Sequence, residues 1–197
     1  MVVNPNATLY TTWGVYSSRW WGSAPATGAH SIVTNASDGP VGLKTYARKT
    51  WSTTSSSGDT GYDVYAFMSV SPGDQFTFSC YVRPSVNRSF EIGVYEHSPE
   101  TTFVSRSRSA SQSIPAGTWS RLTYVYTVPD GISYIHHWAC DSNSSSSANW
   151  AVGSTLDATG FMVTKGSTLY NYADPTINSS WAWTGTSNNS TSTGPAP

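Results

Sequence analysis

Aromatic rings beside polar side chains are the chemistry this sequence offers most plainly. Trp20 and Trp21 follow Arg19 in a turn-rich stretch, and Trp150 follows the polar loop Asp141–Asn149. Trp51 closes a strand-like run next to Arg48, and Tyr95 falls on the outward face of its own run. Sugar rings carry patches of C–H that stack on aromatic faces, and their hydroxyls need polar partners around the rim. Trp20, Trp21 and Trp150 are therefore the first candidates for ligand contact. Trp51, Tyr95 and Arg121 come second, with Arg19, Asp141 and Asn149 as polar neighbours. The competing reading is that each ring fills the core or caps the ends of the fold. Trp13 and Trp119 are read that way.

Other chemistries find little support. His136 and His137 are adjacent, so on a strand they point to opposite faces and cannot share a metal. Asp and Glu number 11 in all, scattered without a recognisable pair. A glycosidase sets two carboxylates roughly 5–10 Å apart. Gly-x-Ser-x-Gly, a phosphate loop and Cys-x-x-Cys are all lacking. The expectation is a non-enzyme that uses no cofactor and no metal.

The elements that would position these residues are strands. Between Ser120 and Val128, Leu122, Tyr124, Tyr126 and Val128 share one face while Arg121, Thr123, Val125 and Thr127 share the other. That period of two marks a strand with one face in a core. Pro129-Asp130-Gly131 ends it with a fixed φ, an Asx side chain and a residue free to take φ > 0. The same construction recurs over Gly42–Trp51, Asp63–Val70, Gln75–Arg83, Phe90–His97 and Leu156–Thr164, with Thr102–Ser113 as an exposed edge. The expected core includes Phe76, Phe78, Phe90, Ile92, Val94, Leu122, Tyr124 and Tyr126. Residues 4–41 read as loop. No segment shows a 3.6-residue period, so the expected fold is all-β, an antiparallel β-sandwich of the jelly-roll kind.

Composition fits that class. Charged residues are 11 %, hydrophobic residues 38 %, with nine tryptophans, and Ser and Thr make up about 30 %. A net charge of −1 with no basic stripe argues against a nucleic-acid partner. No apolar run reaches membrane-spanning length, and the first residues lack the pattern of a secretion signal. Cys80 and Cys140 are accordingly expected to be separate buried thiols. The Asn-x-Ser/Thr triplets at Asn6, Asn35, Asn87 and Asn189 read as chance in a hydroxyl-rich chain. The composition shifts near the end, dividing the chain into a sandwich over 1–175 and a Ser/Thr-rich tail over 176–197 in which Trp181 and Trp183 could dock on their own sandwich or on a neighbouring subunit.

Three segments carry a resemblance. Val70–Arg83, Ala116–Pro129 and Thr155–Thr164 resemble, in order, strand segments of carbohydrate-binding modules of the family four/nine type. The ending, Gly166–Pro175 with Trp181–Thr186 and Ser190–Gly194, is similar to that of minor tail proteins of bacteriophages that infect actinobacteria. The resemblance implies a virion protein, assembled in the host cytoplasm, whose jelly roll binds host cell-surface polysaccharide. It implies other virion proteins as partners, and a homo-oligomer, a trimer by analogy with β-type tail adhesins. That kind of module commonly holds a structural calcium through an Asp of the last strand. Asp157 matches that position, but no carboxylate precedes Asp38 to match the N-terminal ligand, and no metal is expected. The alternatives are a purely structural virion component and a glycan depolymerase.

Overall fold

The structure, a computed structural model, describes residues 28–54, 61–141, 150–172, 179–180, 182–184 and 192–193. Its strands are β1 (Gly28–Val33), β2 (Tyr46–Trp51), β3 (Gly61–Ser69), β4 (Gln75–Pro84), β5 (Arg88–His97), β6 (Phe103–Arg108), β7 (Gln112–Ile114), β8 (Ser120–Thr127), β9 (Tyr134–Asp141), β10 (Thr155–Lys165), β11 (Ala182–Trp183) and β12 (Ser192–Thr193). One sheet runs β1-β2-β10-β4-β8 and the other β3-β9-β5-β6, with β7 beside the first residues of β5. Every pairing is antiparallel. The fold is the expected β-sandwich.

Alternation builds the core. Phe76, Phe78, Cys80 and Val82 of β4 face Phe90, Ile92 and Val94 of β5 across the interior, joined by Leu122, Tyr126, Ile135, Leu156, Phe161 and Val163. Burying side chains of this size contributes roughly 1.5–3 kcal/mol each. Phe78 and Leu122 are wholly buried, so the register read from the sequence holds. Tyr124 is only half-buried because β8 is an edge strand. The turns behave as their residues dictate: Gly73 and Gly131 take positive φ, and Asp74 accepts from the Ser71 N–H.

Polar links cross the interior. The Tyr62 hydroxyl donates to the Leu156 carbonyl at 2.9 Å. Glu96 accepts from Tyr126 at 2.9 Å, from Ser107 at 2.7 Å and from Ser105. The two cysteines form no disulfide with each other, Cys80 facing the core from β4 and Cys140 facing outward from β9. Two readings need correction. Residues 28–33 form a strand, though Gly28-Ala-His-Ser-Ile-Val33 carries no clean alternation and pairs on one side only. The strand expected from Gly42 starts at Tyr46, behind a 3₁₀ turn over Pro40–Gly42.

His136 and His137 do point to opposite faces. His137 is buried against Phe78 and Phe161, with ring centroids 5.4 and 5.3 Å away. Burial drives its pKa from 6.5 down to about 3. An unfolded chain takes up this proton below pH 6.5, the folded chain only near pH 3, so stability present above 6.5 is lost as pH falls between them. The loss approaches about 1.4 kcal/mol per pH unit. His137→Met should keep a flatter urea midpoint between pH 7 and 4.5 than the unaltered chain. Identical acid limbs would refute this account.

Candidate functional site on the outer face of the second sheet

The residues singled out in the sequence do not meet in one place. Trp20, Trp21, Arg19 and Asn149 lie outside the described residues. Trp51 and Trp150 are buried, which corrects their assignment as exposed sugar platforms. β2 turns Trp51 inward, and its backbone is clamped to the turn before β10 by Trp51 N–H to the Ser154 carbonyl and Gly153 N–H to the Trp51 carbonyl. The rings lie parallel, 4.1 Å apart and 2° from coplanar. Lys49 covers the outside of Trp51 at 4.9 Å and Arg88 the outside of Trp150 at 4.7 Å. Trp150 Nε1 donates to Asp141 Oδ2 at 3.0 Å. This is a four-layer cation–aromatic stack inside the protein. Burial pushes the Lys49 amine down to about 7.

Tyr95 does face outward from β5, but it is also buried, so it offers no open ring. Arg121 stands on the outer face of the other sheet. The sequence reading missed the neighbours of Tyr95, although Tyr134, His136 and Trp138 recur at every second position and so share a face of β9. Pairing of β9 with β5 sets His136 opposite Tyr95, Trp138 opposite Gly93 and Tyr134 opposite His97. Pairing of β6 adds Arg106 opposite Tyr95 and Arg108 opposite Gly93, with Phe103 opposite His97. The result is a continuous aromatic face. Tyr95 lies 4.9 Å from His136, 5.7 Å from Trp138 and 5.8 Å from Phe103, centroid to centroid. His97 and His136 are 5.1 Å apart, and Phe67 of β3 meets both edge-on.

Gly93 makes this packing possible. A Cβ there would lie 2.3 Å from the Ser107 carbonyl oxygen and 2.6 Å from Trp138 Cζ2, so the indole lies over bare backbone. Trp138 Nε1 is buried and meets no acceptor among the described residues. Trp138 and Tyr95 are only 1 and 2 % exposed, whereas Phe103 is 56 % exposed. Arg106 and Arg108 are exposed further along β6 from Phe103, and Arg108 pairs with Glu91 at 2.8 Å. The face is therefore open along β6: one aromatic ring with two guanidiniums, backed by buried rings. That combination can stack on a sugar and donate to its hydroxyls.

The opposite sheet settles the question of Asp157. Arg48 reaches its two oxygens through Nε and Nη2 at 2.6 and 2.8 Å, and Arg83 reaches Oδ2 through Nε and Nη2 at 2.9 and 2.8 Å. Arg83 Nη1 also donates to Asp38 at 2.7 Å, and its guanidinium lies over both Tyr46 and Trp119. Hydrogen bonding to Asp157 raises the Arg48 pKa further, and that from Arg83 lowers the Asp38 pKa. Two carboxylates face two guanidiniums here, so a calcium ion would meet like charges and occupied oxygens. These residues do not fit a metal. Trp119 is structural, as read, since its Nε1 donates to the Asp38 carbonyl at 2.6 Å.

No family model matches the chain, and no curated protein does. Solved structures do share the fold. The tandem CBM22-1–CBM22-2 domain of Paenibacillus barcinonensis Xyn10C aligns at TM-score 0.55 and 13 % identity, over 84 % of this chain and 49 % of that one. The single CBM22-2 xylan-binding domain of the same enzyme aligns at 0.53 and 13 %, over 80 % of this chain and 96 % of that one. The enzymatically active domain of tailspike protein 4 of bacteriophage CBA120 aligns at 0.51 and 13 %, over 83 % of this chain. The chain spans about a fifth of that tailspike's length (21 %) but nearly all of the single binding module. At such identities the likeness is one of fold: the chain is an all-β jelly-roll sandwich of the kind found in carbohydrate-binding modules.

Proposed function

We propose that this chain is a non-catalytic glycan-binding module carried on a phage virion, a minor tail protein that holds host cell-surface polysaccharide during adsorption. The observation that carries the reading is the outer face of β9, β5 and β6, where Phe103, Arg106 and Arg108 stand exposed in front of Tyr95, His136 and Trp138. Outer faces of sandwiches are ordinarily polar, and a row of rings there, buried behind an exposed Phe103, asks for a reason. The likeness to binding modules supports the glycan, and the likeness to a tailspike domain, with the ending of the chain, supports the virion. In the same reading Trp20 and Trp21 supply further stacking rings, and other virion proteins and two more copies of the chain, as a trimer, complete the assembly. Several weak sites on one particle then act together. The non-catalytic reading is supported by the engagement of Asp38, Asp157, Asp74, Asp141, Glu91 and Glu96 in ion pairs or hydrogen bonds.

Host cell walls with and without their surface polysaccharide provide the test. The chain should bind intact walls saturably, and the F103A/R106Q double variant should bind about tenfold more weakly, an effect of about 1.4 kcal/mol. Equal binding to stripped walls would sink the reading, and release of soluble sugar would favour a depolymerase. The near-complete burial of Trp138 and Tyr95 favours a second reading, a structural virion part that binds no sugar. Unsaturable binding to intact walls, unchanged in the double variant, would select it.

A further inference from the structure

The outer face of the β1-β2-β10-β4-β8 sheet carries one charge too many. Arg48 and Arg83 are balanced by Asp157 and Asp38, but Arg121 on β8 is met by no carboxylate among the described residues. Its Nη2 donates to a neutral, buried hydroxyl, Ser79 Oγ, at 2.9 Å. Its Nε is buried without an acceptor, and Nη1 has no protein partner among the described residues. The guanidinium lies 5.6 Å from the Tyr81 ring, and Tyr172 meets Tyr81 edge-on at 6.2 Å. Half-burying a cation with only a hydroxyl and a ring for company is costly, and the lowered pKa of Arg121, caused by burial, reports the same cost.

Chain geometry holds the arginine there. Leu122 is locked into the core on one side, and β8 pairs Arg121 directly with Tyr81 of β4. A bulge between Thr159 and Met162 in β10, with Gly160 at φ +63°, gives Tyr81 and Tyr172 their seats: a Cβ on Gly160 would stand 3.0 and 3.2 Å from those rings. The rings fix the guanidinium rather than neutralise it: Nη2 is held by Ser79, and Arg121 itself stays partly exposed, as does Thr123 two residues on along the same face of β8. A ligand oxyanion would supply the missing charge through a hydrogen bond assisted by it.

We propose that Arg121 is an anion subsite taking the oxyanion of an acidic glycan, a uronate carboxylate or a phosphodiester, on the sheet opposite the aromatic face. The proposal rests on the glycan-binding reading above but concerns a different surface, so the two can fail separately. The full chain, labelled with nitrogen-15 in its arginines, is titrated with oligogalacturonate, with poly(glycerol phosphate) and with a neutral xylo-oligosaccharide, at low and high salt. One acidic probe should shift the Arg121 side-chain resonance, and its affinity should fall with salt. In R121Q that affinity should drop at least tenfold, while R121K retains part of it; unchanged circular dichroism and a urea midpoint no lower than that of the unaltered chain confirm the fold of both. Which acidic probe acts identifies the oxyanion. Binding of acidic probes equally to R121Q and the unaltered chain, or an Arg121 resonance that no probe moves, overturns the proposal. Should acidic probes bind through Arg121 while the neutral probe and F103A/R106Q show nothing at β6, the subsite stands and the aromatic-face reading falls.

Discussion

Trp150→Ala should destabilise the protein by about 3–5 kcal/mol, the range for deleting a large buried aromatic side chain. The expectation is specific to the stack. Removing the indole leaves one face of Trp51 uncovered, takes the ring from beneath Arg88 and strips Asp141 of its Nε1 donor. Asp141 is fully buried, so losing this donor is costly even with Arg88 Nε 3.9 Å from its Oδ2. Trp150→Phe separates the contributions: it keeps a stacking ring and loses the donor, and should cost roughly 1–3 kcal/mol. Urea denaturation with an unchanged slope measures both. A loss below about 1 kcal/mol for the alanine variant would show that the stack is not a structural element. The result bears on function too, because weaker wall binding by this variant would follow from unfolding.

Asp157→Asn should cost about 3–5 kcal/mol, the usual result of breaking a buried ion pair from one side. The amide can accept one guanidinium through its oxygen, but its NH₂ confronts the other, and Arg48 and Arg83 keep their charges in partly buried positions. The network ties β2, β10 and β4 together, since Asp157 is the direct cross-strand partner of both Arg48 and Arg83. Calcium should neither raise the midpoint of the unaltered chain nor restore the variant, and a chelator should leave both unchanged. A midpoint that climbs with calcium would mean that the carboxylate is a metal ligand after all.

Alternation made the interior legible. Phe76, Phe78, Phe90, Ile92, Val94 and Leu122 lie where a period of two puts them, because the inward face of a strand is chosen by hydrophobicity alone. β1 was not legible, since an edge strand pairs on one side and Ala29, His30 and Ser31 carry no pattern. The rings were harder still. Trp51, Trp150 and Tyr95 look from sequence like candidates for solvent, and what buries them is distant: a second tryptophan 99 positions away in one case, and strand β9 in the other. Trp138 and His136 carried the right spacing, but their face became a candidate only once β9 was seen to pair with β5. Arg121 was legible as a polar outward residue. That no described carboxylate meets it was not, because Arg48 and Arg83 find theirs only through the pairing of β10 with β2 and β4.

Gly93 sets a limit on how this protein can change. It faces outward, where substitutions are ordinarily cheap, yet any side chain there would collide with the Ser107 carbonyl and the Trp138 ring. A saturation library should find this position as intolerant as Phe78. Alanine at 93 would become acceptable only where residue 138 shrinks and β6 moves outward in the same variant. The three strands that make the aromatic face are thus coupled in inheritance: β5, β6 and β9 cannot drift one residue at a time. Change is cheapest where the coupling ends, at Phe103, Arg106 and the loops, whereas the glycine and the indole can be exchanged only together.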